Sequence, residues 1–232
     1  MLFRSLDVNA AALARIGRGE MPFAEAGGDA LLREVLDHGL LAVGTDCSLV
    51  AGIPFLVLTI GTPVDEFLNP VHRVLTECLD PFLPYLSAEQ TLILRSTVSP
   101  GATDWLCRHL ERMGKPVQVA FCPERVVQGR AVEEIQRLPQ IVSGMTPAAV
   151  ERATWLFAKV APEIVPLAPM EAELAKLYCN SYRYIQFAVS NQFFMMAASQ
   201  GLDYERDRKS TRLNSSHRIR VRMPSSASQQ KK

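Results

Sequence analysis

The residues in this chain best placed to do chemistry form a polar stripe where a long apolar helix begins. Lys176, Asn180 and Arg183 stand at i, i+4 and i+7 within Glu171-Ala-Glu-Leu-Ala-Lys-Leu-Tyr-Cys-Asn-Ser-Tyr-Arg183, so a helix projects all three from one face. An ammonium, an amide and a guanidinium in line suit an anionic or sugar-like ligand, because each donates hydrogen bonds to oxygen. An ordinary solvated helix face has the same pattern, so other segments must decide. After Arg183 no charged residue occurs until Asp203. A helix that is nearly uncharged all round is buried, in a large core or against a partner.

Further candidates lie where apolar runs end. Leu2–Val8 reads as a short strand with Asp7 at its end, where an acid accepts the ribose hydroxyls of a dinucleotide, or caps the next helix together with Asn9. Phe55–Ile60 is an almost continuously apolar run, the pattern of a parallel strand buried on both faces, and it ends in Gly61-Thr62-Pro63. Thr91–Arg95 leads into Ser96-Thr97-Val-Ser-Pro100-Gly101, and Val117–Phe121 into Cys122-Pro-Glu124-Arg125-Val126. Thr62 and Thr97 offer hydroxyls at successive strand ends, and Glu124 and Arg125 add a carboxylate and a guanidinium. Each cluster alone is also common loop or surface chemistry.

The elements that must position these residues alternate. Helical patterns fall at Ala10–Arg18, Ala30–His38, Val71–Leu79, Thr103–Met113 and Pro147–Val160; further short strands fall at Gln140–Ser143 and Glu163–Pro166. Strand and helix in alternation predict an α/β fold with a doubly wound, mostly parallel sheet of Rossmann type. In such sheets ligands bind beyond the carboxyl ends of the strands. A strand and a G-x-G-x-x-G turn are expected before Asp7, and neither is present. Gly17-Arg-Gly19 supplies two glycines, but Pro22 takes the third place and the match follows a helix.

Bulk composition narrows the function classes. The 232 residues carry a formal net charge of +1, with 48% hydrophobic and 21% charged residues, as in a soluble globular protein. Near-neutral charge removes the electrostatic case for nucleic acid or an anionic membrane as a main partner. The five cysteines (Cys47, Cys78, Cys107, Cys122 and Cys179) contain no C-x-x-C pair and read as reduced thiols in a cytoplasmic protein, with no metal framework. Cys122 and Cys179 are expected to be buried, inert thiols. Gln186, Asn191, Gln192 and Gln200 interrupt the uncharged run, against a membrane span.

Composition breaks near Arg206. Asp207–His217 reads as the in-frame translation of a common sequencing adapter, and Arg222–Ala227 as that of its far end. Residues 207–232 are therefore expected to be an artefactual, disordered tail. The expected organisation is a dinucleotide-binding domain over residues 1–168, without its first strand and glycine-rich turn, then the start of a central helical dimerisation domain over residues 169–206.

Taken in order, Asp-Val-Asn, Gly-Thr-Pro, Ser-Thr-Val-x-Pro-Gly, Cys-Pro-Glu-Arg-Val, Glu-Ala-Glu-x-x-Lys-Leu-x-x-Asn-Ser-Tyr-Arg and Gly-Leu-Asp resemble the nucleotide-sugar 6-dehydrogenases, truncated at both ends. The resemblance covers Leu6 to about Asp203 and leans to the UDP-N-acetyl-D-mannosamine branch over the UDP-glucose branch. It implies oxidation of a UDP-sugar C6 alcohol to a carboxylate in two hydride transfers to NAD⁺, through a cysteine-bound intermediate. Asp7, Thr62 and Thr97 are then implied to line the cofactor site. Lys176 and Asn180 are implied to surround the reacting carbon, and Glu124 to assist hydrolysis through water beside Thr97. Arg125, Val126 and Arg183, with Lys176 and Asn180, are implied to bind the sugar nucleotide, and the helix to form a homodimer contact. The family's nucleophilic cysteine lies beyond this helix, so none of the five here is assigned that role and the fragment is expected to be inactive. Two alternatives stay open. One is a 6-phosphogluconate-type hydroxyacid dehydrogenase, which also uses Lys-x-x-x-Asn on a helix. The other is a non-catalytic dimerising fragment, prone to aggregate at an unpaired sheet edge and an uncovered helix.

Overall fold

The strands are short and their cores lie on both faces, which makes the sheet the frame for everything else. A computed structural model describes residues 2–61, 66 and 71–202. In chain order these form β1 (Phe3–Leu6), α1 (Ala10–Gly17), α2 (Gly28–Asp37), β2 (Leu41–Gly44), β3 (Phe55–Leu58), α3 (His72–Leu79), β4 (Thr91–Leu94), α4 (Ala102–Arg112), β5 (Gln118–Phe121), α5 (Ala131–Glu134), β6 (Gln140–Gly144), α6 (Pro147–Phe157), β7 (Ile164–Pro166) and α7 (Pro169–Ser199). Two 3-10 turns add Cys47–Val50 and Asp80–Tyr85. Leu41–Gly44 and Ala131–Glu134 are absent from the sequence reading. The one-turn Ala131–Glu134 holds barely one helical period, too little for the pattern to register.

β1 and β2 make a parallel pair, and β3-β4-β5-β6-β7 make a second sheet in that order. Every ladder is parallel except β5–β6. This is the expected mostly parallel α/β architecture.

Alternate residues of the central strands feed two cores. Leu92, Leu94, Val119, Phe121 and Ile141 pack with Leu75 and Leu79 of α3, Leu106 and Leu110 of α4 and Ala172 of α7. Ile93, Ala120, Cys122 and Val142 turn the other way, onto Ala149, Ala153 and Phe157 of α6. Strands buried on both faces must be apolar throughout, which is why these read as continuous runs.

The first compact unit runs Met1–Asn180 and so includes the opening turns of α7; Ser181–Lys232 forms the second. Over 31 residues α7 is about 46 Å long. Among the described residues no helix is long and apolar enough to cross a membrane. The tail at residues 207–232 and Asp203 lie outside the described residues.

Candidate functional site

Because β3, β4 and β5 are parallel, their carboxyl ends open on one side of the sheet, and the loops that leave them share that rim. Thr97 stands in the loop after β4, and Glu124, Arg125 and Val126 in the loop after β5. Thr62, expected after β3, lies outside the described residues.

The loop after β5 is shaped by its own carboxylate. One oxygen of Glu124 accepts from the backbone N–H groups of Arg125 (2.6 Å) and Val126 (2.7 Å), while the other pairs with the Arg95 guanidinium. Arg95 also donates to the Cys122 carbonyl and to Gln140 Oε1, each at 3.1 Å, and lies over the Phe157 ring. Gln140 donates in turn to the Pro123 carbonyl at 3.2 Å. The Arg125 guanidinium donates to the Pro139 carbonyl at 3.1 Å. Arg95 and Gln140 thus hold the loop from below, although the sequence reading gives neither a role. The signal was present: Arg95 is a cation at the end of an otherwise apolar buried strand, and such a charge needs a partner.

α7 closes over this rim. Lys176 is only 9% exposed, and its ammonium donates to the Glu124 backbone carbonyl. One turn later the Asn180 side chain donates to Thr97 Oγ1 at 3.4 Å. The structure therefore brings Lys176 and Asn180 together with Thr97 and the backbone of the Glu124–Val126 loop, while the Glu124 carboxylate faces that loop's own N–H groups and Arg95. A carboxylate offers about four acceptor positions, so Glu124, with three donors already bound, retains room for one water. Arg183 belongs to the second compact unit and is half-buried there.

Glu173 is a further buried acid that the sequence reading does not single out. It is 1% exposed and accepts from Gly101 N at 2.6 Å, Thr103 N at 2.9 Å and Thr103 Oγ1 at 2.6 Å. Gly101 adopts φ 86° as the N-cap of α4 and has no side chain to cap with, so Glu173 supplies the missing acceptor across space.

Asp7 is exposed at the carboxyl end of β1, and its Oδ1 accepts from Asn9 N at 2.8 Å. Asn9, not Asp7, caps α1 by accepting from Ala12 N at 3.0 Å. The Asp7 carboxylate is therefore not consumed by the cap.

The cysteines divide. Cys122 is buried, and desolvation pushes its thiol up to about 12, which keeps it protonated and inert. Cys179 is exposed, against the expectation of a buried thiol. It sits one position before Asn180, about 100° around the helix, so it misses the face that packs on the sheet. Among the described residues no group of His, Cys, Asp and Glu side chains is arranged to hold a metal.

Comparison with known proteins matches residues 4–161 to the NAD-binding domain of the UDP-glucose/GDP-mannose dehydrogenase family. The chain is 28% identical over 211 residues to the UDP-N-acetyl-D-mannosamine dehydrogenase of Yersinia pestis, covering 85% of this chain and 50% of that protein. The enzyme of the same name from Escherichia coli (strain K12) matches with the same identity and coverage. Among solved structures, the UDP-D-ManNAc dehydrogenase of Pyrococcus horikoshii superposes with a TM-score of 0.80 at 25% identity, over 93% of this chain and 52% of that one. The chain thus spans about half the length of the curated relatives it matches.

Proposed function

Since this chain belongs to the UDP-glucose/GDP-mannose dehydrogenase family, we propose that it is the cofactor-binding half of an enzyme oxidising the C6 alcohol of UDP-N-acetyl-D-mannosamine. The observation that carries this reading is the pinning of Lys176 and Asn180 over the strand ends that hold Thr97 and Glu124. The names of the relatives support the choice of sugar. The family match favours this reading over the hydroxyacid dehydrogenase that shares Lys-x-x-x-Asn.

NAD⁺, when bound, supplies the hydride acceptor. Asp7 fits its adenosine ribose, because an exposed carboxylate at a strand end can accept hydrogen bonds from both ribose hydroxyls. A carboxylate there also repels a 2′-phosphate, which favours NAD over NADP. Lys176 holds an ammonium where negative charge develops on the sugar oxygen, and burial makes that charge count for more than it would in water. Asn180 orients the same oxygen, and Glu124 holds a water beside it for the hydrolytic step. Arg125 and Val126 bind the nucleotide sugar, with the guanidinium suited to bidentate contact with phosphate oxygens.

Isothermal titration of the chain with UDP-N-acetyl-D-mannosamine and with UDP-glucose tests the proposal. The first is expected to bind more tightly, and Lys176→Ala to weaken it about tenfold or more, the loss expected for one charge-assisted hydrogen bond. Binding of neither sugar nucleotide sinks the reading.

The apolar stretch of α7 supports a second element of the proposal, pairing with another copy of the chain. Tyr184 is 79% exposed and Phe187 61%, and Phe193, Phe194, Met195 and Met196 are exposed beside them on the sequence. So many large apolar groups on one helix mark an interaction surface.

A further inference from the structure

We propose that Glu173 is a positioning residue that fixes where Lys176 and Asn180 stand relative to Thr97. The inference rests on the assignment of Lys176 and Asn180 to the sugar-nucleotide site. Glu173 precedes them by three and seven residues, so all three fall on one face of α7. Its carboxylate is 1% exposed and receives three hydrogen bonds from the first turn of α4, at 2.6, 2.9 and 2.6 Å. Gly101, one of the donors, ends the loop that begins at Ser96 and carries Thr97.

One side chain therefore ties the helix that carries the ammonium and amide to the loop that carries the hydroxyl. The geometry is stiff for a physical reason. A buried carboxylate is held only while its donors stay in place, and the helix N-terminus supplies both the N–H groups and a favourable partial charge. Neighbouring apolar contacts allow sliding; three charge-assisted bonds to one turn do not. Ala172, beside Glu173, is buried in the sheet core and closes the remaining freedom at this point of α7. From there Lys176 reaches the Glu124 carbonyl and Asn180 reaches Thr97.

Glu173→Gln tests this with the shape kept. The amide has one acceptor oxygen where the carboxylate has two, and its NH2 faces a backbone N–H. The chain and the variant are acetylated with a water-soluble N-hydroxysuccinimide ester, and modification of Lys176 is followed by mass spectrometry with Lys115 as internal reference. Lys176 is expected to react about tenfold faster in the variant while Lys115 is unchanged, the change expected for loss of one hydrogen bond to a charged group. UDP affinity is expected to fall by a similar factor, with Lys176→Ala then adding little, because residues that act through one another are not additive.

Equal labelling of Lys176 in the chain and the folded variant overturns the proposal. A parallel rise at Lys115 does so too, since that is general loosening. If Glu173→Gln does not fold, Thr103→Val removes only the hydroxyl donor, and a rise of about threefold at Lys176 is expected; none overturns the inference. The two readings separate cleanly. If the unaltered chain does not bind UDP but labelling rises in the variant, the substrate assignment fails and the positioning role stands. If Lys176→Ala abolishes UDP binding but Glu173→Gln changes neither labelling nor affinity, the reverse holds.

Discussion

Burial decides which of the residues singled out can act at the site. Lys176 is buried on the polar stripe of α7, and its ammonium donates to the Glu124 backbone carbonyl at the strand ends. Cys122 lies on the face that packs against α6, and its thiol is out of reach. Two outcomes follow. At pH 8, iodoacetamide is expected to modify Cys179 and leave Cys122 untouched until the chain unfolds, as peptide mapping would show. The folded state holds the Cys122 proton more tightly than the unfolded state, so this residue's contribution to stability is complete below pH about 9. It is lost as pH rises toward 12, on the order of 1.4 kcal/mol per unit. Denaturant titrations of the chain and of Cys122→Ala over that window should diverge; parallel curves would show that the thiol is not buried.

At the scale of elements, the sheet is held by helices that fit its two faces closely. Leu106 of α4 is fully buried in the larger core, and Leu106→Ala should cost about 2–5 kcal/mol in urea unfolding. Gly144 ends β6 against the first turn of α6. A Cβ there would stand 2.9 Å from that of Ala149 and 3.0 Å from Val150 N. Gly144→Ala is therefore expected to cost about 1–3 kcal/mol through overpacking, read as a lower midpoint at constant slope. A neutral Gly144→Ala would mean that α6 can shift away from the sheet.

For the molecule as a whole, two features stand uncovered among the described residues. β1 and β3 each leave one edge without a strand partner among the described residues, and α7 carries large apolar side chains in the open. The first is the exposed edge that invites strand addition. The second should pair copies of the chain. Sedimentation is expected to show a dimer that Phe187→Asp converts to monomer, since a buried carboxylate without a partner costs several kcal/mol. A dimer unmoved by that change would place the contact elsewhere.

The sequence by itself determined the fold class and the alternation of elements. Those depend on local patterns: apolar runs for β3 and β4, and helical spacing for the long α7. The one-turn α5 escaped because four residues hold barely one helical period, whereas the equally short β3 and β4 showed as apolar runs. Tertiary structure alone decided what each carboxylate does. Glu124 meets Arg95 across 29 residues, and Glu173 meets Gly101 across 72. A charge declares itself in sequence, but its partner is chosen by packing, and packing distance is independent of separation along the chain. The exposure of Cys179 was likewise settled only by how the opening turns of α7 lie on the sheet.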